Sequence, residues 1–164
     1  MKLKSLCFFF LLVLCDRGMG ANFCSYQNTN QLVWNKEFSL RIHQLFGERQ
    51  ESFFYTGPLY EQVLAGLGGP TNDIISIRNT LRFASACRAH SCDEKAAVLF
   101  ACPDNVLAVG ILHLNIDTMA ATLTVYSPQV TPTIRSAFSA WREKIAQTAS
   151  IVISTEYRLL GSKR

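Results

Sequence analysis

Residues 81–126 read LRFASACRAHSCDEKAAVLFACPDNVLAVGILHLNIDTMAATLTVY, and this stretch decides the fold. Leu81 to Ala86, Lys95 to Ala101, Val106 to Ile116 and Thr122 to Tyr126 read as strands; Lys95 to Ala101 is mostly apolar, and Val106 to Ile116 is long and rich in branched residues. Few residues separate them. Parallel neighbours would need a crossover of a dozen residues or more, so these runs are expected to pair antiparallel. Ser127-Pro128 ends the last of them, and Ile74 to Ile77 adds a strand upstream.

Helical patterns flank the β region. Asn35 is a good N-cap for a helix running to about Phe46, with Phe38, Ile42, Leu45 and Phe46 on one stripe and Gly47 as the stop. Pro58 opens a second, short helix with Leu59, Val63 and Leu67 inward, which Gly66, Gly68, Gly69 and Pro70 are expected to break. Thr131-Pro132 starts a third, with Ile134, Phe138, Trp141 and Ile145 on one face, and Ile151 to Ile153 reads as a final strand. Helices, a β meander and a helix make a single α+β domain. There is no linker, repeat or low-complexity segment.

The beginning of the chain reads as an export signal. Lys2 and Lys4 precede a short apolar run from Leu6 to Leu14, and Gly18-Met19-Gly20 offers small residues for cleavage after Gly20. The run is too short to span a bilayer, which takes about 20 residues. Leu14 stands where a lipobox carries a small residue, which argues against lipidation at Cys15. The expected division is therefore a signal over 1–20 and one domain over 21–164. Loss of Lys2, Lys4 and Arg17 against Asp16 lowers the formal charge from +4 to +2. Without a dense basic tract, nucleic acid is not an expected partner, nor is a membrane after cleavage. The Lys163-Arg164 end reads as a solvated tail.

Of six cysteines, Cys7 and Cys15 leave with the signal. Cys24, Cys87, Cys92 and Cys102 remain, an even set that reads as two disulfides in an oxidising compartment, with three pairings open. Cys87-Arg88-Ala89-His90-Ser91-Cys92 falls between two strands, at a hairpin tip without Gly, Asn or Pro. A Cys87–Cys92 bridge is the obvious candidate to hold it. Chain entropy assigns so small a ring about 2 kcal/mol, against about 4.5 kcal/mol for a Cys24–Cys102 bridge. The small ring thus shapes a loop and the large one staples the fold. A loop restrained beforehand avoids an ordering cost on association. The tip presents hydrogen-bond donors on Arg88 and His90, suited to a narrow cleft lined with carboxylates such as that of a glycoside hydrolase.

The segment Ser85 to Cys92, followed by polar residues and the apolar strand Ala96 to Phe100, resembles the inhibitor of vertebrate lysozyme (Ivy) family. Members are periplasmic proteins of Gram-negative bacteria whose Cys-x-x-His-x-Cys loop, closed by a disulfide, plugs the lysozyme active site. The resemblance spans roughly residues 30–155. It implies a central antiparallel sheet with helices on both faces, and a homodimer. It assigns the plug histidine to His90, its basic neighbour to Arg88, the loop disulfide to Cys87 and Cys92, and the contact surface to Arg88, Ala89, His90 and Ser91. Ala89 and Ser91 stand where a family member carries Pro and Asp, and Cys24 and Cys102 look additional to the family pattern.

The expected function is a periplasmic inhibitor of C-type lysozyme or a related peptidoglycan-cleaving glycosidase. The alternative is an exported structural or adaptor domain, or an immunity domain binding another cell-wall hydrolase. No cofactor is expected. Four zinc ligands from Cys87, His90, Cys92 and Cys102 are disfavoured, because three would fall within six residues and an oxidising location favours disulfides. A thiol enzyme needs a reduced, oriented nucleophile, and no orienting partner, Gly-x-Ser-x-Gly elbow or His-Glu-x-x-His helix is present, so the chain is not expected to be an enzyme. His43 reads as a surface histidine. His113 shares a strand side with Val109 and Ile111 and lies close to Asp117, as a partly buried histidine satisfied by a neighbour. Trp141 reads as core.

Overall fold

The structure, a computed structural model, describes residues 21–115, 118 and 120–161. Residues 1–20, where the export signal with Cys7 and Cys15 is expected, lie outside them, as do Ile116, Asp117 and the Lys163-Arg164 end.

A 3-10 turn, Phe23–Ser25, leads into α1 (Thr29–Val33) and α2 (Lys36–Phe46). The Asn35 side chain caps α2 by accepting from the Phe38 amide, and Gly47 ends it at a φ of 55°. Two short strands, β1 (Gln50–Ser52) and β2 (Thr56–Pro58), pair as a small hairpin before α3 (Leu59–Leu67). Gly66 belongs to α3 instead of breaking it. A Cβ there would stand 2.7 Å from the Ala96 Cβ, so its lack of a side chain lets the helix lie close on the sheet. Sequence reading took it for a breaker because helix propensity carries no information about close approach.

The main sheet contains β3 (Ile75–Arg78), β4 (Leu81–Arg88), β5 (Ser91–Ala101), β6 (Asn105–Asn115), β7 (Ala120–Ser127) and β8 (Ile153–Leu159), in spatial order of sequence. The first five run antiparallel, as the short connections require. β8 departs by lying parallel to β7, joined through α4 (Pro132–Ala149), the crossover that such a pair needs. Ile151 and Val152, expected in the last strand, are exposed linker residues, and the strand continues through Thr155, Glu156, Tyr157 and Arg158. Charged side chains at Glu156 and Arg158 hide its alternating pattern.

Alternation along the strands sends side chains to two cores. Ala84, Ala96, Val98, Phe100, Val109, Ile111 and Tyr126 pack under α1–α3, against Phe38, Ile42, Leu59, Val63 and Leu67. Phe83, Ala97, Leu99, Leu112, Leu123 and Val125 face Ile134, Phe138 and Trp141 of α4. Helices therefore lie on both faces. The sulfurs of Cys24 and Cys102 are at bonding distance, 1.95 Å, and tie the first turn to the β5–β6 connection, where the Phe23 amide also donates to the Pro103 carbonyl at 2.7 Å.

The β1–β2 hairpin hangs on one buried side chain absent from the sequence reading. The Gln62 carboxamide accepts from the Phe53 and Phe54 amides at 3.1 and 3.0 Å, and donates to the Glu51 and Gly57 carbonyls at 2.9 and 3.0 Å. Its four bonds satisfy a loop that makes little regular ladder of its own.

Candidate functional site, a disulfide-closed hairpin tip

β4 and β5 stay in register as far as Cys87 opposite Lys95, then shift so that Arg88 faces Ser91. Ala89 and His90 form the two-residue turn, and Cys92, Asp93 and Glu94 bulge out before pairing resumes. His90 has a φ of 65°, at the turn position where type II geometry requires a positive value. Histidine tolerates the left-handed region better than most side chains other than glycine, so the tip needs no Gly here. The Cys87 and Cys92 sulfurs are at bonding distance, 1.96 Å, with Cα atoms 4.7 Å apart across the base of the turn.

Ala89 and His90 are exposed, Ser91 is half-buried and Cys87 is buried. Arg88 is placed differently from the expectation that the tip presents it. Its guanidinium donates to Glu94 at 2.5 Å and lies 5.7 Å from the centre of the Tyr55 ring. Such a cation is partly neutralised and turned back toward the body of the domain. The imidazole of His90 is thus the exposed polar side chain at the turn.

Behind the tip, the outer edge of β4 is covered by the chain leaving α3. The Gly69 amide donates to the Cys87 carbonyl at 2.9 Å, and the Asn72 side chain donates to the Ser85 carbonyl at 2.9 Å. Asn72 is in turn held by the buried Thr29, whose amide donates to its carbonyl at 2.9 Å and whose hydroxyl accepts from its amide at 3.1 Å. Lys95 donates from Nζ to the Cys92 carbonyl. Disulfide, edge bonds and the Arg88–Glu94 pair brace the loop from three sides.

Glu94, Tyr55 and Gly69 carry this bracing, and sequence reading missed them. Glu94 had a faint signal, an acid close in sequence to Arg88 on the other arm of the same hairpin. Tyr55 and Gly69 come from distant segments and had none.

His113 belongs to a different cluster. Its ring packs at 5.0 Å on Phe53, its Nδ1 is buried without a partner among the described residues, and burial, then Arg158, depress its pKa. The neighbour expected to satisfy it is therefore not found among them, and Asp117 is not one of the described residues. Beside it, the Tyr126 hydroxyl donates to Glu51 at 3.0 Å and accepts from Arg158 at 3.0 Å. Burial, then the Glu51 charge, hold that phenol well above its ordinary range. His43 donates from Nε2 to the Glu48 carboxylate at 3.1 Å on the surface and packs edge-on to Tyr60. Trp141 is buried in the α4 core as expected.

Fold and site together define an α+β domain that carries a covalently closed, braced hairpin tip with an exposed histidine. Compared with known proteins, the chain matches no family model, no curated protein and no solved structure.

Proposed function

We propose that this chain is an exported inhibitor of a peptidoglycan-cleaving glycosidase, with C-type lysozyme as the first target to test. The observation that carries the reading is the exposure of His90 on a tip closed by Cys87 and Cys92 and braced from behind. An imidazole so placed can enter a cleft and hydrogen-bond the acid and the nucleophile that flank the scissile bond. The Ser85 to Cys92 resemblance to the Ivy family supports the same target and a periplasmic location. So do the two cysteine pairs at bonding distance, since disulfides persist in oxidising compartments. No helix among the described residues is long and apolar enough to cross a membrane.

In this reading His90 acts as the plug, Ala89 and Ser91 fit the walls of the cleft, and Arg88 acts indirectly by stiffening the loop through Glu94. The formal charge is positive, +4 for the full chain, which disfavours long-range steering to a basic lysozyme, so recognition rests on contacts inside the cleft. The test is a cell-wall lysis assay with hen-type lysozyme and increasing amounts of the chain. Inhibition that a soluble oligosaccharide substrate relieves competitively is expected. Full lysozyme activity at saturating chain would exclude this target.

A further inference from the structure

One helix cannot cover six strands. Strands lie ~4.8 Å apart, so the sheet is about 24 Å wide, whereas a helix with its side chains is ~10–12 Å across. On the second face, α4 seats Ile134, Phe138 and Trp141 and leaves a groove along β3–β5. Its volume is about 850 Å³, within the range of small-molecule sites. Ile75, Ile77 and Phe83 line the sheet side, and Ala140, Trp141 and Ile145 line the helix side. Ile75 and Ile77 are 54% and 38% exposed, an apolar pair on an edge strand that nothing in the chain covers among the described residues.

The charges along this groove are lopsided. Arg78, Lys95 and Lys144 line it against a single acid, Asp93. Among the described residues no carboxylate lies within salt-bridge distance of any of the three cations. Two of them share one end. Because β8 is parallel to β7, α4 must carry the chain back to the Ala121 end of the sheet, where Ile153 pairs with Ala121. Ala121 faces Leu114 on β6, and Leu112 two residues away faces Lys95. The last turns of α4, with Lys144, therefore end over the same part of the sheet as Lys95 and the Cys87–Cys92 bridge. Arg78 is at the opposite end, paired with Leu81. From Leu81 to Cys87 the groove floor runs about 20 Å at the rise of a strand.

We infer that this groove binds a single-chain anionic amphiphile, its acyl chain along β3–β5 and its headgroup at the Lys95–Lys144 end. An apolar trough closed by cations that have no carboxylate partner among the described residues is complementary to that chemistry, in shape and in charge. Burial also depresses the Lys95 pKa, a cost that an anionic partner would offset. The site lies on the sheet face behind the hairpin tip and stands whether or not His90 plugs a glycosidase.

Trp141 lines the groove and reports on it once the exposed Trp34 is replaced. The full chain carrying Trp34→Phe is titrated, below micelle formation, with myristate, with a myristoyl lysophosphatidate and with tetradecyltrimethylammonium. Saturable change of Trp141 fluorescence at one anion per chain is expected, and whichever anion binds more tightly identifies the source of the headgroup. The cation of equal chain length and the Lys95→Gln/Lys144→Gln variant should each bind about tenfold more weakly or worse, and Ala140→Phe should block uptake. Circular dichroism checks that each variant is folded, and the lysine pair alone decides the matter if Ala140→Phe is not. Equal binding of the cation, undiminished binding by the lysine variant, or no saturable binding overturns the inference. So does a dimer that Ala140→Phe splits without any amphiphile uptake, which would assign the groove to a second copy of the chain.

Discussion

Gly69 and Cys87 meet backbone to backbone. The glycine amide donates to the cysteine carbonyl at 2.9 Å, and a Cβ on residue 69 would stand 2.1 Å from that same oxygen. No real side chain tolerates such a distance, so the base of the hairpin tip depends on a glycine 18 positions away in sequence. Gly69→Ala is expected to push the strand edge away, break the bond and loosen the loop. A loss of about 1–3 kcal/mol in stability is expected from one lost backbone bond and local strain. Denaturant titration gives the stability, and amide exchange at Arg88–Ser91 gives the loosening. Unchanged exchange would show that the brace is immaterial.

The two cysteine pairs should separate in their effects. Cys24→Ala/Cys102→Ala opens a loop of 78 residues and is expected to cost about 4.5 kcal/mol. Cys87→Ala/Cys92→Ala opens a span of only 5 and is expected to cost about 2 kcal/mol. Chemical denaturation of both variants measures the difference, and the small-ring variant should lose inhibition far out of proportion to its stability.

Gln62 is a polar side chain at the centre of a fold that its volume alone would let leucine fill. Gln62→Leu leaves the amides of Phe53 and Phe54 and the carbonyls of Glu51 and Gly57 without that partner. A destabilisation of about 3 kcal/mol is expected from unpaired groups near a core. Because the same loop carries Tyr55 to Arg88, the variant should also raise amide exchange at the tip.

His113 supplies a pH dependence of known sign. Its folded pKa is depressed, by burial first and by Arg158 second, so the unfolded chain binds the proton more readily. Stability is then fully present above the unfolded histidine value of about 6.5 and declines as pH falls from there through the depressed folded value. Urea denaturation at pH 7.5 and pH 5 should show this decline, and His113→Gln should reduce it. An equal decline in the variant would place the effect on other groups.

Much of this architecture was legible in the sequence because local chemistry and tertiary structure agree. Asn35 and Thr131 cap the helices their position suggested, and the apolar runs of β4–β7 alternate into two cores. The hairpin tip was legible for the same reason, as its covalent partners are five residues apart. What escaped depends on distant contacts. Arg88 looked like a presented cation because nothing in a linear reading places Tyr55 beneath it. β8 was cut short because Glu156 and Arg158 face the Tyr126 cluster in the polar half of a strand, where hydrophobic periodicity is silent. α1 spans only 5 residues, too few for a periodic signal, and is fixed by the Asn28 side chain and by Asn72.

The most direct measurement is the inhibition constant for hen-type lysozyme with the native chain and with His90→Ala, both folded and both bridged between Cys87 and Cys92. Loss of a buried central contact at an interface costs about 3 kcal/mol, so a weakening of about 100-fold or more is expected. An inhibition constant that His90→Ala leaves unchanged would contradict the reading of this tip as a plug.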